Sequence, residues 1–172
     1  MKHTILGAGG SIGNALTDTL LKKEETVKLV SGSTHAIAGA QSARGDLTSY
    51  VDTAVAVKHS DIVYLCAGLP YDIKVWEENW PKIMRNTINA CKEAGAKLIF
   101  FDNVYMYGKV SGNMTEQTPY HPTSKKGEVR ARIANMLEEE IANGHISAIM
   151  SLAFEVYSPY GPKPVIISPL ML

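Results

Sequence analysis

Gly7, Gly10 and Gly13 stand at GxxGxxG spacing within LGAGGSIG, directly after the short apolar run TIL. Glycines so placed can hold a pyrophosphate. Gly7 permits a tight turn out of a strand, Gly10 lets backbone approach the phosphates with no Cβ in the way, and Gly13 lets the following helix lie close to the sheet. The anion then sits at the helix N-terminus, against free N–H groups and the positive end of the helix dipole. Ser11 adds a hydroxyl there and Ile12 a backbone N–H. The expectation is a dinucleotide cradle. The alternative is a plain turn in an α/β protein that binds nothing.

Further residues would complete such a site. The second strand should end on a side chain that reads the adenosine ribose, an acid for NAD or a basic group for NADP. Here the chain runs KLVSGST, placing Ser31, Ser33 and Thr34 at that turn. No acid is present to repel a 2′-phosphate, and no arginine stands in the stretch to clamp one. The reading leans to NADP and leaves NAD open, with an ordinary Ser/Gly turn as the alternative. In RGDLTS, Asp46 is placed to accept from the adenine amino group and Leu47 to lie against its ring. Asp46 as a helix N-cap is the other reading. Ala67 and Gly68 end YLCAG, small enough for backbone to pass a bound cofactor.

These groups need a scaffold in which strand ends converge. Apolar runs at 4–7, 26–31, 61–68, 96–101 and 146–154 read as strands buried on both faces, with a weaker one at 42–46. Between them, residues 11–23, 47–58, 80–94 and 124–142 read as amphipathic helices. In the second of these, Leu47, Tyr50, Val51, Ala54 and Val55 form the expected core face. Alternating strands and helices predict an α/β doubly wound parallel sheet with helices on both faces, one domain over 1–172.

Composition narrows the function. The chain has 17 basic and 17 acidic residues. This argues against a nucleic-acid or membrane-surface binder, which needs a basic face. The five histidines show no ligand spacing, so no metal site is expected. Cys66 and Cys91 read as two reduced, buried thiols. No apolar run reaches the ~20 residues of a membrane span, and no secretory leader is evident, so a cytoplasmic protein is expected.

Taken together, GAGGSIG, GDL, DIVYLCAG, WPKIMRNTINACKEAGAKLIF, DNVYMYG, TEQTP and YGP resemble the extended and atypical short-chain dehydrogenase/reductases, in particular the NAD-dependent epimerase/dehydratase group. The resemblance covers essentially the whole chain. It implies a Rossmann-type domain and hydride chemistry supported by Ser or Thr, with Tyr and Lys spaced YxxxK. In this sequence the Ser/Thr place falls on Asn103, the Tyr place on Lys126 and the Lys place, which holds the cofactor ribose, on Arg130. A second register, HPTSK, puts His121 and Lys125 in the last two places. Tyr120 has Ser124 four residues on. Tyr105 and Tyr107 offer further hydroxyls near the nicotinamide side. Expected catalysis therefore draws on Asn103, Tyr105 and Lys126.

The resemblance further implies an NAD(P)-binding protein of the epimerase, dehydratase or reductase type, acting on a sugar-like or other small hydroxyl or carbonyl substrate. The family's C-terminal substrate-binding portion is largely absent after YGP. The alternatives are a non-catalytic dinucleotide sensor or regulatory protein, or a truncated inactive fragment. Self-association into a homo-oligomer is expected, since missing elements would leave apolar surface open.

Overall fold

A computed structural model of the chain describes residues 1–33 and 35–153. Thr34 and the SPYGP stretch lie outside the described residues. The elements are β1 (Lys2–Leu6), α1 (Ser11–Lys22), β2 (Thr26–Ser31), β3 (Gln41–Arg44), α2 (Tyr50–Val57), β4 (Ile62–Leu65), α3 (Ile73–Ala94), β5 (Lys97–Asn103), a 3-10 turn (Tyr105–Tyr107), α4 (Lys125–Ala142) and β6 (Ala148–Ala153). The six strands form one sheet in the order β3-β2-β1-β4-β5-β6, every pairing parallel. This is the doubly wound Rossmann arrangement. Strand order reverses beside β1, so a crevice opens between the carboxyl ends of β1 and β4.

The two faces of the sheet carry separate cores. Leu6, Val30, Leu65, Leu98 and Phe100 pack toward the side of α2, α3 and α4, among Trp80, Met84, Ile88, Ile133 and Leu137. Ile5, Val27, Leu29 and Tyr64 pack toward α1 through Leu20. Alternation along each strand divides the side chains between these layers.

Two helices differ from expectation. α3 begins at Ile73, seven residues before 80, because the Asp72 carboxylate accepts from the Lys74 and Val75 amides at 2.8 and 3.2 Å. Pro81 is not at the helix start, the position where its missing N–H would cost least. In the fold it lies inside α3, between the buried anchor Trp80 and the core residue Ile83. α2 is capped by Ser49, not by Asp46. Its buried residues are Thr53, Ala56 and Val57, while Val51 and Val55 are 69% and 68% exposed. The helix is apolar on two sides, so periodicity alone does not choose its inner one. Thr53 is tolerated on the inner side because its hydroxyl donates to the Ser49 carbonyl at 2.8 Å.

Candidate functional site

At the crevice, β1 leaves the sheet through Gly7. The residue has φ +88, and a Cβ there would meet the Ala67 Cα at 2.3 Å. Only glycine tolerates both the left-handed backbone and this contact with the exit of β4. The Gly7 and Ala8 amides then donate to the Val30 carbonyl at 2.9 and 3.0 Å, which turns the chain across β2. Gly10 is the N-cap of α1 and makes no side-chain capping bond. A Cβ on it would meet nothing nearer than the Gly7 carbonyl at 4.0 Å. The first turn of α1 thus faces open space with its amides uncapped by any side chain, the geometry an anion needs. Gly13 is buried, with its Cβ position 3.5 Å from the Ile5 side chain, which brings α1 close to the sheet.

A cavity of about 940 Å³ opens from this turn. It gathers Gly7, Gly10, Ser31, Ser33, Asp46, Leu47, Ala67 and Gly68 from four strand ends. Ser11, Ile12 and Gly13 stand behind Gly10 in the first turn of α1. The Ser31 hydroxyl donates to the Ser33 carbonyl. Asp46 accepts from both the amide and hydroxyl of Thr48 at 2.8 Å, and these bonds hold its carboxyl below the usual carboxylate range. Leu47 is 9% exposed and lines the cavity wall. Cys66 also lines it, half-buried, and burial pushes its thiol up to about 12.

One lining residue overturns the expectation that no arginine reaches the Ser31 turn. Arg44 ends β3, and the parallel register sets it directly beside Ser31. Only strand pairing, not nearness in sequence, brings it there. The clue lies in SARGD read as a strand.

The expected catalytic residues Asn103, Tyr105 and Lys126 are not among the residues lining the cavity; they form a second group around the end of β5. Asn103 ends β5, and its side-chain oxygen accepts from the Tyr105 amide at 3.0 Å. Gly127, in the first turn of α4, presses against this backbone, for a Cβ there would lie 2.6 Å from the Tyr105 carbonyl. The neighbouring Lys126 reaches back to the loop before α3. Its ammonium donates to the Tyr71 carbonyl at 3.1 Å and lies 3.1 Å from the centre of the Tyr71 ring. Tyr105 stacks on Trp76 at 6.5 Å, and Tyr71 packs edge-on to the same indole at 5.7 Å. The nearby Tyr71 phenol, with burial, raises the Tyr105 hydroxyl above its ordinary value.

Arg130, expected at the cofactor, is not among the residues lining the cavity. It is 5% exposed, with its guanidinium carbon 3.9 Å from the Trp80 ring centre and 4.4 Å from that of Trp76. Its Nη1 pairs with Asp102 Oδ1 at 3.0 Å. Burial raises Asp102 to about 7 against the opposing pull of Arg130, and lowers Arg130. Asp102 also accepts from the Asn103 amide at 2.7 Å. The residue one turn beyond Lys126 therefore braces the strand end that carries Asn103.

The other registers lead elsewhere. Tyr120 packs edge-on to Tyr107 at 5.1 Å and donates to Glu138 Oε1 at 2.6 Å. Burial and that carboxylate raise its hydroxyl far above the ordinary value. Ser124 caps α4, and the His121 carbonyl abuts Gly108. Among the described residues, no cluster of three or more His, Cys, Asp or Glu could hold a metal ion. No helix among them is long and apolar enough to cross a membrane.

This fold recurs in solved structures. UDP-glucuronic acid 4-epimerase from Bacillus cereus in complex with NAD is 25% identical, with a TM-score of 0.79 over 94% of this chain and 59% of its own. The Bordetella bronchiseptica enzyme WbmH in complex with NAD+ is 16% identical, with a TM-score of 0.81 over 94% and 58%. A UDP-glucose 4-epimerase is 22% identical, with a TM-score of 0.79 over 91% and 52%. The chain thus spans little more than half the length of these proteins. No curated protein matches it. The sequence pattern of the NAD dependent epimerase/dehydratase family matches residues 3–169, and the chain belongs to that family.

Proposed function

We propose that this chain binds a nicotinamide dinucleotide and supports redox chemistry on a small hydroxyl or carbonyl substrate, sugar-like in class. The observation that carries the reading is the uncapped N-terminus of α1, opening with Gly7 and Gly10 into a cavity lined by four strand ends. The pyrophosphate would rest on the amides after Gly10, with the adenine between Asp46 and Leu47. The nicotinamide would extend past Ala67 and Gly68 toward Asn103. When bound, the dinucleotide supplies or accepts hydride. Asn103, Tyr105 and Lys126 are the groups of this chain placed to orient a substrate oxygen and manage its proton. Similarity to proteins described as complexes with NAD supports the binding.

Within that reading we favour NADP. Arg44 beside Ser31 and Ser33 offers a planar cation and hydroxyls where a 2′-phosphate would lie, and no acid opposes it at the end of β2. The two free cysteines suit a reducing, cytoplasmic setting. The exposed Val51 and Val55 on α2 suit contact with a second copy.

Fluorescence titration with NADPH and NADH tests the reading directly. Saturable binding, tighter for NADPH, is expected. Absence of binding to either dinucleotide would refute it. Binding without oxidation of the bound cofactor by any carbonyl probe would instead favour a sensor.

A further inference from the structure

At the opposite edge of the sheet from the crevice, a smaller cavity of about 220 Å³ opens among Lys2, Thr4, Lys28, Lys58, His59 and Ser60. Strand alternation brings the first three together. The face of β1 that sends Leu6 into the core carries Thr4 and then Lys2 toward its amino end, and the face of β2 that sends Val30 there carries Lys28. The parallel register pairs Thr4 with Lys28 directly. The turn from α2 to β4 supplies Lys58, His59 and Ser60, with His59 at φ +64, a conformation glycine adopts more easily. Three lysines from three segments thus meet at one cavity, and among the described residues no acid lines it. Two carboxylates of this edge are engaged: Asp61 accepts from the Lys2 amide at 2.7 Å, and Glu25 pairs with the amino terminus of Met1. Thr4 and Ser60 are 1% and 6% exposed, and their hydroxyls meet at 2.7 Å. That bond uses one hydroxyl hydrogen of two, so the other is left to seek an acceptor. Lys28 is half-buried, and its ammonium donates to the Ala56 carbonyl at 2.8 Å, which uses one of its three hydrogens. Burial, and then Lys2, lower that ammonium below its ordinary value. Lys28 and Lys58 complement the carboxyl end of α2. That end needs neither Lys2 nor a buried pair of hydroxyls. What remains is surplus positive charge and hydrogen-bond donors, the complement of an anion.

We propose that this cavity is a second binding site, separate from the dinucleotide crevice, for a phosphate group, either free as inorganic phosphate or borne by a small metabolite as its monoester. Lys28 and the spare hydroxyl hydrogen of the Thr4–Ser60 pair hold it from the floor, and Lys2 and Lys58 close on it from the rim. The cavity is smaller than the ~300 Å³ at which drug-sized ligand sites begin, so its occupant is one small anionic group. A phosphate monoester carries about two negative charges at pH 7 and several acceptor oxygens, which match the lysines and the hydroxyl. The site does not depend on the dinucleotide reading, because the two cavities lie at opposite ends of β1.

The test is an NMR titration of the full chain labelled with 15N. The probes are inorganic phosphate and glycerol phosphate, each set against sodium chloride at matched ionic strength. The expected result is a saturable shift of the Lys28, Lys58, His59 and Ser60 amides with at least one phosphate probe and not with chloride. Shifts at Gly10 and Gly13 report the crevice separately, so failure of the dinucleotide reading leaves this outcome untouched. Tighter binding of the monoester supports the site with a metabolite as the source, and equal or tighter binding of inorganic phosphate supports it with the free ion. Lys2 and Lys58 are exposed, so a Lys2→Gln, Lys58→Gln double variant should keep its fold. It should bind about ten-fold more weakly or worse, with the crevice shifts unchanged. Shifts at the four amides no larger than those with chloride overturn the proposal, as does a double variant that binds as tightly as wild type.

Discussion

Asp102 and Arg130 meet at 3.0 Å with both side chains out of water, the guanidinium packed against the rings of both Trp76 and Trp80. Asp102 Oδ2 and Arg130 Nε have no hydrogen-bond partner. The pair is therefore an incompletely satisfied charge cluster, kept in place by desolvated contacts on every side. Arg130→Leu should strand the carboxyl and destabilise the fold by about 3–5 kcal/mol. Replacing both residues by leucine should restore much of that loss. Denaturant melts of the single and double variants check this.

The same pair sets a pH dependence. The Asp102 carboxyl is raised to about 7 in the fold, against about 3.9 in an unfolded chain. Between these values the folded state holds a proton that the unfolded state has lost. Stability from this group is therefore full below about pH 4, declines as pH rises, and levels off above about pH 7. Thermal melts from pH 4 to 8 should show this decline in wild type relative to Asp102→Asn, which lacks the titrating group.

Gly7 and Gly10 should respond in opposite ways to alanine. Gly7→Ala forces a Cβ into the Ala67 backbone at a positive φ, and should cost about 3 kcal/mol or more. Gly10 has an ordinary φ of −78 and open space around it, so Gly10→Ala should leave the melting temperature nearly unchanged. It should weaken dinucleotide binding about ten-fold or more, since its methyl would occupy the phosphate position. Thermal melts paired with NADPH titration separate the two effects.

Arg44→Ala should reduce NADPH affinity by about 10- to 100-fold, the worth of a charge-assisted hydrogen bond. NADH affinity should stay the same, because Arg44 is proposed to meet only the 2′-phosphate. Equal losses for both cofactors would point to a general role in the cavity.

Cys66 lines the cavity, but burial holds its thiol near 12, so few molecules carry the thiolate at neutral pH. Iodoacetamide at pH 8 should leave Cys66 unmodified over the time that labels a free cysteine completely. Peptide mass mapping reads this out.

The sheet and its crevice were legible because they rest on local signals. Apolar runs marked the strands, and glycine spacing marked the turn that feeds α1. What stayed hidden depended on distance in sequence. Arg44 reaches the Ser31 turn only through the β2–β3 register. Tyr71 and Lys126 are 55 positions apart and meet only when α4 docks beside α3. Arg130 reads as a ribose contact from its place four residues after Lys126, and the two indoles that bury it lie on another helix. The inner side of α2 was misjudged because Val51 and Val55 supplied as good an apolar stripe as Thr53, Ala56 and Val57.

Contact between Gly7 and Ala67 is made backbone against backbone. The spacing of the crevice's two lips is therefore set by close backbone packing and not by rotamers. Side chains around the rim can be exchanged freely while the gauge of the slot stays constant. Solved structures only 16–25% identical in sequence share this fold over most of the chain. The rim can then diverge in sequence without the slot being rebuilt.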